Sequence, residues 1–303
     1  MTNPAMNRRH FLATGAALAA ASVINPRLSL AAEAAKPRAF GRAIMWGTVG
    51  VKGSVMEKMK HVKEAGFEGV EPNSHMDQKE VVAALEATGL KAASVCCSTH
   101  WGLTLSHPSE VTRARGLEGL KQSIRDAKAY GATSVLLVPG VARDGVSYEQ
   151  CWDRSIAEIN KALPLAQELG VVIAIENVWN DFIIKEDEAV RYVDAINSPW
   201  VKWHFDIGNI IWFGDPVAWI NKLGKRIARL HIKEFSRDLA MKHGDRGRGF
   251  AAKFLEGANN WPAIMTALDA TGYSSWAITE QGGGGTPEGL KDLSDRLSKI
   301  LAS

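Results

Sequence analysis

Short apolar, β-branched runs alternate with longer helix-period stretches along this chain, and the alternation repeats eight times. The runs fall at 43–48, 68–72, 91–98, 134–139, 171–177, 201–207, 228–234 and 275–280. The amphipathic stretches fall at 55–65, 78–88, 117–130, 148–169, 186–196, 216–223, 261–271 and 287–301. Strict alternation calls for a parallel sheet with helical crossovers, and eight units close it into an α/β (β/α)8 TIM barrel. Gly66, Gly89, Gly131, Gly170 and Gly272 punctuate the repeats, as left-handed helix caps do. A doubly wound open sheet would announce a Gly-rich phosphate turn after its first strand, and Gly47-Thr48-Val49-Gly50 is too weak a match.

Such a barrel takes roughly 250 residues. The 303-residue chain therefore reads as an export signal and linker at 1–34, followed by one catalytic domain at 35–303. The leader carries Asn7-Arg8-Arg9-His10-Phe11-Leu12, an uncharged Ala-rich stretch at 11–26, and small residues at 29–35. This is the pattern of a twin-arginine (Tat) export signal. Its sixteen uncharged residues fall short of the roughly 20 that span a bilayer. The expectation is a cleaved signal, a periplasmic or secreted protein, and no stable membrane insertion after export.

The formal net charge of +3 comes from Arg8, Arg9 and Arg27 in the first 32 residues, which contain no Asp or Glu; the remainder balances 33 cations against 33 anions. A neutral body lacks the positive surface that drives nucleic-acid binding, so no nucleic-acid partner is expected. Cys96, Cys97 and Cys151 form neither a disulfide framework nor a zinc–thiolate pattern and read as buried thiols.

Barrel strands are covered on both faces, so charges in them are scarce. Four consecutive strands break this rule at their C-terminal ends: Ile175-Glu176-Asn177, His204-Phe205-Asp206, His231-Ile232-Lys233 and Thr279-Glu280-Gln281. Period-2 alternation sends Ile173 and Ile175 toward the helices and Glu176, Asp206, His231 and Glu280 toward the axis. Three carboxylates and an imidazole converging there repel one another unless a cation sits among them. Lys233, Arg229 and Arg237 are alternative partners for a lone carboxylate. A divalent ion satisfies all four strand ends at once, at the end of the barrel where such enzymes work.

These motifs, with Gly66-Phe67-Glu68-Gly69-Val70-Glu71-Pro72 and Gly272-Tyr273-Ser274-Ser275-Trp276, resemble the sugar phosphate isomerase/epimerase superfamily of xylose-isomerase-like barrels over residues 40–300. The resemblance implies that Glu176, Asp206, His231 and Glu280 ligate one divalent metal ion, commonly Mn2+ and sometimes Co2+, Mg2+ or Zn2+. It also places Arg237 where ketose epimerases hold a substrate-binding arginine. At Asn209 the chain departs from the histidine usual in those enzymes; Asn hydrogen-bonds a hydroxyl but cannot shuttle a proton.

Glu71, His100 and Lys233 are expected at the mouth as substrate-binding groups, and Trp46, Trp101 and Trp179 as rings that can stack on sugar faces. His204 reads as a satisfied core histidine; His61, His107 and His243 read as solvated. The segment 236–260 reads as a long loop able to close over substrate, with Arg246 and Arg248 among its residues. The expected chemistry is proton abstraction beside a carbonyl by Glu176 or Glu280 and return by the other, through an enediolate, in a sugar isomerase or epimerase. Elimination of the aglycone from a keto-glycoside by a lyase or hydrolase begins the same way. An apurinic endonuclease-like hydrolase and a non-catalytic sugar-binding protein complete the set of readings. A neutral sugar or keto-glycoside is favoured over a phosphosugar although Gly282-Gly283-Gly284-Gly285 follows the last strand, and a homo-oligomer is compatible with the sequence.

Overall fold

The computed structural model describes residues 38–303; the expected export signal lies outside the described residues. Nine strands run parallel: β1 (Gly41–Met45), β2 (Gly69–Glu71), β3 (Lys91–Ala92), β4 (Val95–Cys96), β5 (Ser134–Leu137), β6 (Val172–Glu176), β7 (Val201–Asp206), β8 (Ile227–Ile232) and β9 (Trp276–Thr279). Their order is β3-β2-β1-β9-β8-β7-β6-β5-β4. The crossovers carry α1 (Val55–Glu64), α2 (Gln78–Thr88), α3 (Glu110–Tyr130), α4 (Tyr148–Leu169), α5 (Glu186–Ile196), α6 (Ile207–Ile210), α7 (Pro216–Leu223), α8 (Arg237–His243), α9 (Trp261–Thr271) and α10 (Pro287–Leu301). This is a parallel α/β TIM barrel, and among the described residues no helix is long and apolar enough to cross a membrane.

The stretch expected as one strand at 91–98 is broken into β3 and β4. Its first half pairs with β2 and its second with β5, so the barrel closes through the break. At the break, the Ala93 carbonyl accepts from Arg229 Nε at 2.7 Å. Helix α3 starts seven residues before the expected 117, at an N-cap in which Ser109 accepts from the Thr112 amide. Gly116 and Gly119 sit where a Cβ would strike Leu103 and Thr99, so these glycines let the helix lie against the preceding loop. Their lack of side chains also blurred its periodicity.

A second irregularity lies between β7 and β8. Trp203 pairs with Ile227 but His204 pairs with Arg229, leaving Ala228 as a bulge. The extra residue brings His231 level with Asp206; without it Asp206 would face Leu230, a residue of opposite parity. The Ala228 carbonyl accepts from Arg229 Nη1 at 2.7 Å. The guanidinium also reaches Ser275 Oγ at 2.9 Å and Thr133 Oγ1 at 2.6 Å.

Outside the barrel, Trp203 and Phe205 on β7 meet Trp219 of α7, with Phe205 stacked on Trp219 at 5.9 Å. Inside, the floor is closed by Trp276, whose ring occupies the space beside Gly41 and Gly69 where any larger residue would collide. The glycine run after β9 also has a packing reason. Gly284 accepts from the Gly50 amide at 2.9 Å, and a Cβ on Gly284 would strike Thr48. All three cysteines are buried and free, as expected.

Because Arg229 holds both irregularities, its replacement by leucine strands several buried carbonyl and hydroxyl groups. We expect Arg229→Leu to lose about 2–4 kcal/mol of unfolding free energy in urea titration; a change below about 1 kcal/mol would contradict this role.

Candidate active site

Strands β6, β7 and β8 and the residue after β9 bring Glu176, Asp206, His231 and Glu280 together, with one ligand-capable atom of each within 4.8 Å of the others. His231 Nδ1 lies 2.9 Å from Glu176 Oε1, 3.2 Å from Glu280 Oε2 and 4.0 Å from Asp206 Oδ2. Nε2, on the other edge of the ring, lies 2.8 Å from Glu71 Oε2. Burial alone would push this imidazole down, but Glu71, Glu280 and Glu176 hold it well above its ordinary value.

The carboxylates differ in environment. Asp206 Oδ1 accepts from the Asn209 amide at 2.8 Å as the N-cap of α6, whereas Oδ2 is buried without a hydrogen-bond partner. Burial raises the Asp206 and Glu176 carboxyls above their usual range. Burial also opposes ionisation of Glu280, but Lys233 and His231 outweigh it and hold Glu280 well below that range. Lys233 Nζ lies 2.8 Å from Glu280 Oε2 and 3.5 Å from Asp206 Oδ2.

This donor set fits a divalent cation. It offers three carboxylates and an imidazole nitrogen, a mixture suited to borderline metals. Asp206 Oδ2 is a bare acceptor in the middle of the cluster. A Glu71 carboxylate that accepts from Nε2–H leaves the Nδ1 lone pair for the ion, the carboxylate–histidine arrangement that orients metal-binding imidazoles.

Glu71, expected at the mouth, is instead wholly buried behind His231. The expectation for His204 is corrected: it is buried, but neither ring nitrogen has a hydrogen-bond partner, and Nδ1 stands 3.9 Å from an equally unpartnered Glu71 Oε1. Burial keeps its ring neutral, and it packs edge-on against His231 with centroids 4.2 Å apart. Glu71, His204 and His231 form a second group of metal-competent atoms beneath the first.

Above the cluster lies a cavity of about 240 Å3, lined by His100, Asn209 and Lys233 among polar residues and walled by Trp101, Trp179 and Phe250. His100 Nδ1 accepts from the Val138 amide at 3.1 Å, so the ring proton is on Nε2. Burial lowers His100 to about 4, leaving it a neutral donor. Asn209 donates Nδ2–H to the Asn177 carbonyl at 3.0 Å. Arg237 turns away from the cavity: its Nε and Nη2 donate to the Ile211 carbonyl at 2.9 and 2.5 Å.

Several supporting residues escaped the sequence reading. Asn177 donates to the Asp206 carbonyl at 2.7 Å and accepts from the Trp203 indole and the Asp206 amide, clamping β6 to β7 beside two cluster members. Glu234 accepts from the Leu255 and Asn259 amides and the Trp261 indole. Gln281 donates to the Phe250 and Ala252 carbonyls and accepts from the Glu234 amide. The 236–260 segment, expected as a loop, thus carries α8 and a short 3-10 helix at Arg246–Ala251, tied to the rim by these two side chains. Asn177 and Gln281 directly follow strand-end carboxylates in sequence, a position that could have signalled their role.

The sequence profile of the xylose isomerase-like TIM barrel family matches residues 59–300, and the chain belongs to this family. It is 24% identical over 236 residues to the L-ribulose-5-phosphate 3-epimerase UlaE of Salmonella paratyphi C, covering 72% of this chain and 78% of that protein. Among solved structures, the 3-keto-D-glucoside 4-epimerase YcjR from E. coli superposes with a TM-score of 0.71 at 17% identity, covering 86% of this chain and 98% of that one. A D-psicose 3-epimerase matches with a TM-score of 0.71 at 16% identity over 87% of this chain and all of its own. The IolI protein, solved with a bound zinc atom, matches with a TM-score of 0.70 at 16% identity over 86% of this chain and 98% of its own.

If Glu71 fixes the His231 ring, Glu71→Gln should weaken divalent-ion binding roughly 10- to 100-fold in chelator competition with the fold retained. Unchanged affinity would show that Glu71 does not orient this ligand.

Proposed function

We propose that this chain is a divalent-metal-dependent sugar isomerase or epimerase that moves a proton at a carbon beside a carbonyl. The observation that carries this reading is the placement of Glu176 and Glu280, at the ends of separate strands around His231, at the floor of one cavity. The relatives named as sugar epimerases support it. Glu176, Asp206, His231 and Glu280 would hold the ion, with Mn2+ the expected species and Co2+, Mg2+ or Zn2+ alternatives. When bound, the ion supplies Lewis acidity that stabilises negative charge on the substrate oxygens.

The chain's own groups do the rest. One of Glu176 and Glu280 takes the proton and the other returns one. Lys233, 2.8 Å from Glu280, keeps that carboxylate ionised. His100 offers Nε2–H to a substrate hydroxyl, Asn209 offers its amide oxygen, and the Trp101, Trp179 and Phe250 walls take the apolar face of a sugar ring and exclude water.

A neutral substrate is favoured over a phosphosugar. Among the cavity-lining residues Lys233 is the cation, and it is already paired with Glu280 and Asp206. In the Gly282–Gly285 run, Gly284 and Gly285 pack on the turn at 48–50. Elimination of an aglycone from a keto-glycoside uses the same proton abstraction, and the space beyond half-exposed Trp101, at the edge of the cavity, could take an aglycone. The leader adds the proposal that the enzyme works in the periplasm or outside the cell.

The test is incubation of metal-supplemented protein in D2O with a panel of free ketoses and 3-keto-glycosides. Solvent deuterium in the recovered sugar, beside the carbonyl, is the expected result, and release of aglycone selects the elimination. Glu176→Gln and Glu280→Gln should each lower turnover by at least about 100-fold with the fold retained. No exchange and no aglycone from any substrate would overturn the reading.

A further inference from the structure

Trp101 belongs to two cavities. One face closes the catalytic cavity, and the ring also borders a neighbouring pocket of about 340 Å3 between the loops that follow β4 and β5. Just over half of its surface, 52%, is exposed, so the ring offers an open apolar face beside the neighbouring pocket. Its position is fixed from below: the His100 ring meets it edge-on at 5.6 Å, and His100 is itself held by the Val138 amide. The ring is thus supported from one side by His100 while its other side stands in solvent.

The neighbouring pocket has the side chains that sugar hydroxyls require. His107 Nδ1 accepts from the Ser109 amide at 2.9 Å, which leaves Nε2–H as a donor. Arg143 is anchored by donating to the Trp179 carbonyl at 2.7 Å, from the opposite wall of the catalytic cavity. Asp144 and Thr104 also line the pocket, and among the described residues neither the Asp144 carboxylate nor the Thr104 hydroxyl has a protein partner. An aromatic plate flanked by a carboxylate, a guanidinium and hydroxyl-type donors is suited to a ring with C–H faces and equatorial hydroxyls.

We infer that this pocket is a second sugar subsite, so that the substrate is a glycoside of at least two rings, with the reacting ring over Glu176 and Glu280 and the second ring beyond Trp101. This rests on reading the central cavity as a sugar site and names the substrate class that site takes. The partition by Trp101 places the glycosidic bond at the rim of the catalytic cavity, and the second ring then gains its contacts from Thr104, His107, Arg143 and Asp144.

The test measures binding apart from turnover. Full-length, Mn2+-loaded protein is titrated, by tryptophan fluorescence and calorimetry, with a panel of glucose-, galactose- and mannose-based disaccharides and the matching methyl monosaccharides. At least one disaccharide should bind tenfold or more tightly than its one-ring counterpart. Asp144→Ala combined with Thr104→Ala should remove that advantage while leaving one-ring affinity within about twofold, and Trp101→Ala should weaken both ligands. Equal affinity for one- and two-ring ligands across the panel, no binding by any, or equal weakening of both by the Asp144/Thr104 variant would overturn the subsite. Failure of the enzymatic reading shows separately, as absence of deuterium exchange and aglycone release while the two-ring advantage persists.

Discussion

His231 stands between two sets of carboxylates, and much of the described structure is arranged to keep it there. Its Nε2 edge meets Glu71 at 2.8 Å and its Nδ1 edge meets Glu176 at 2.9 Å, with Glu280 and Asp206 next to it. Burying so many ionisable groups costs several kcal/mol per ion unless charges balance. Lys233 contributes one positive charge at the rim, but Asp206 Oδ2 remains without a hydrogen bond. A divalent ion among these groups would resolve the imbalance that the protein side chains leave.

The backbone departs from regular barrel geometry where it serves this cluster. The bulge at Ala228 sets His231 opposite Asp206, and the break at Ala93 and Ser94 opens the third strand where Arg229 crosses the floor. Asp206 ends its strand and caps the next helix through Oδ1, which directs its other oxygen into the cluster. Asn177 locks the two strands that carry Glu176 and Asp206 at a fixed offset. Hydrogen bonds from Asn177 and Asn209 thus hold the strand ends that carry the cluster, in addition to general packing.

The parts legible in the sequence were those governed by local periodicity. Eight strand-and-helix repeats and the inward parity of Glu176, Asp206, His231 and Glu280 follow from alternation within each strand, which long-range contacts did not overturn. What could not be read depends on residues distant in sequence. Glu71 reaches His231 across 160 positions, and Arg229 reaches Ala93 across 136. Arg237 sits at the spacing that suggested substrate contact, yet it bonds the Ile211 carbonyl, whose location the sequence does not reveal. The start of α3 was hidden because Gly116 and Gly119 replace apolar side chains with close backbone approach.

Rim and cluster are joined by buried side chains. Glu234 and Gln281 fasten the 236–260 segment, which brings Phe250 to the cavity and under Lys233, 4.8 Å from the ring centre. The central claim is that a single divalent cation completes the cluster. The most direct measurement is titration of chelator-stripped protein with Mn2+ near neutral pH, followed by electron paramagnetic resonance. The account predicts saturation at about one ion per chain, lost when Asp206 is replaced by Asn. Saturation below about half an equivalent, or binding untouched by that replacement, would contradict it.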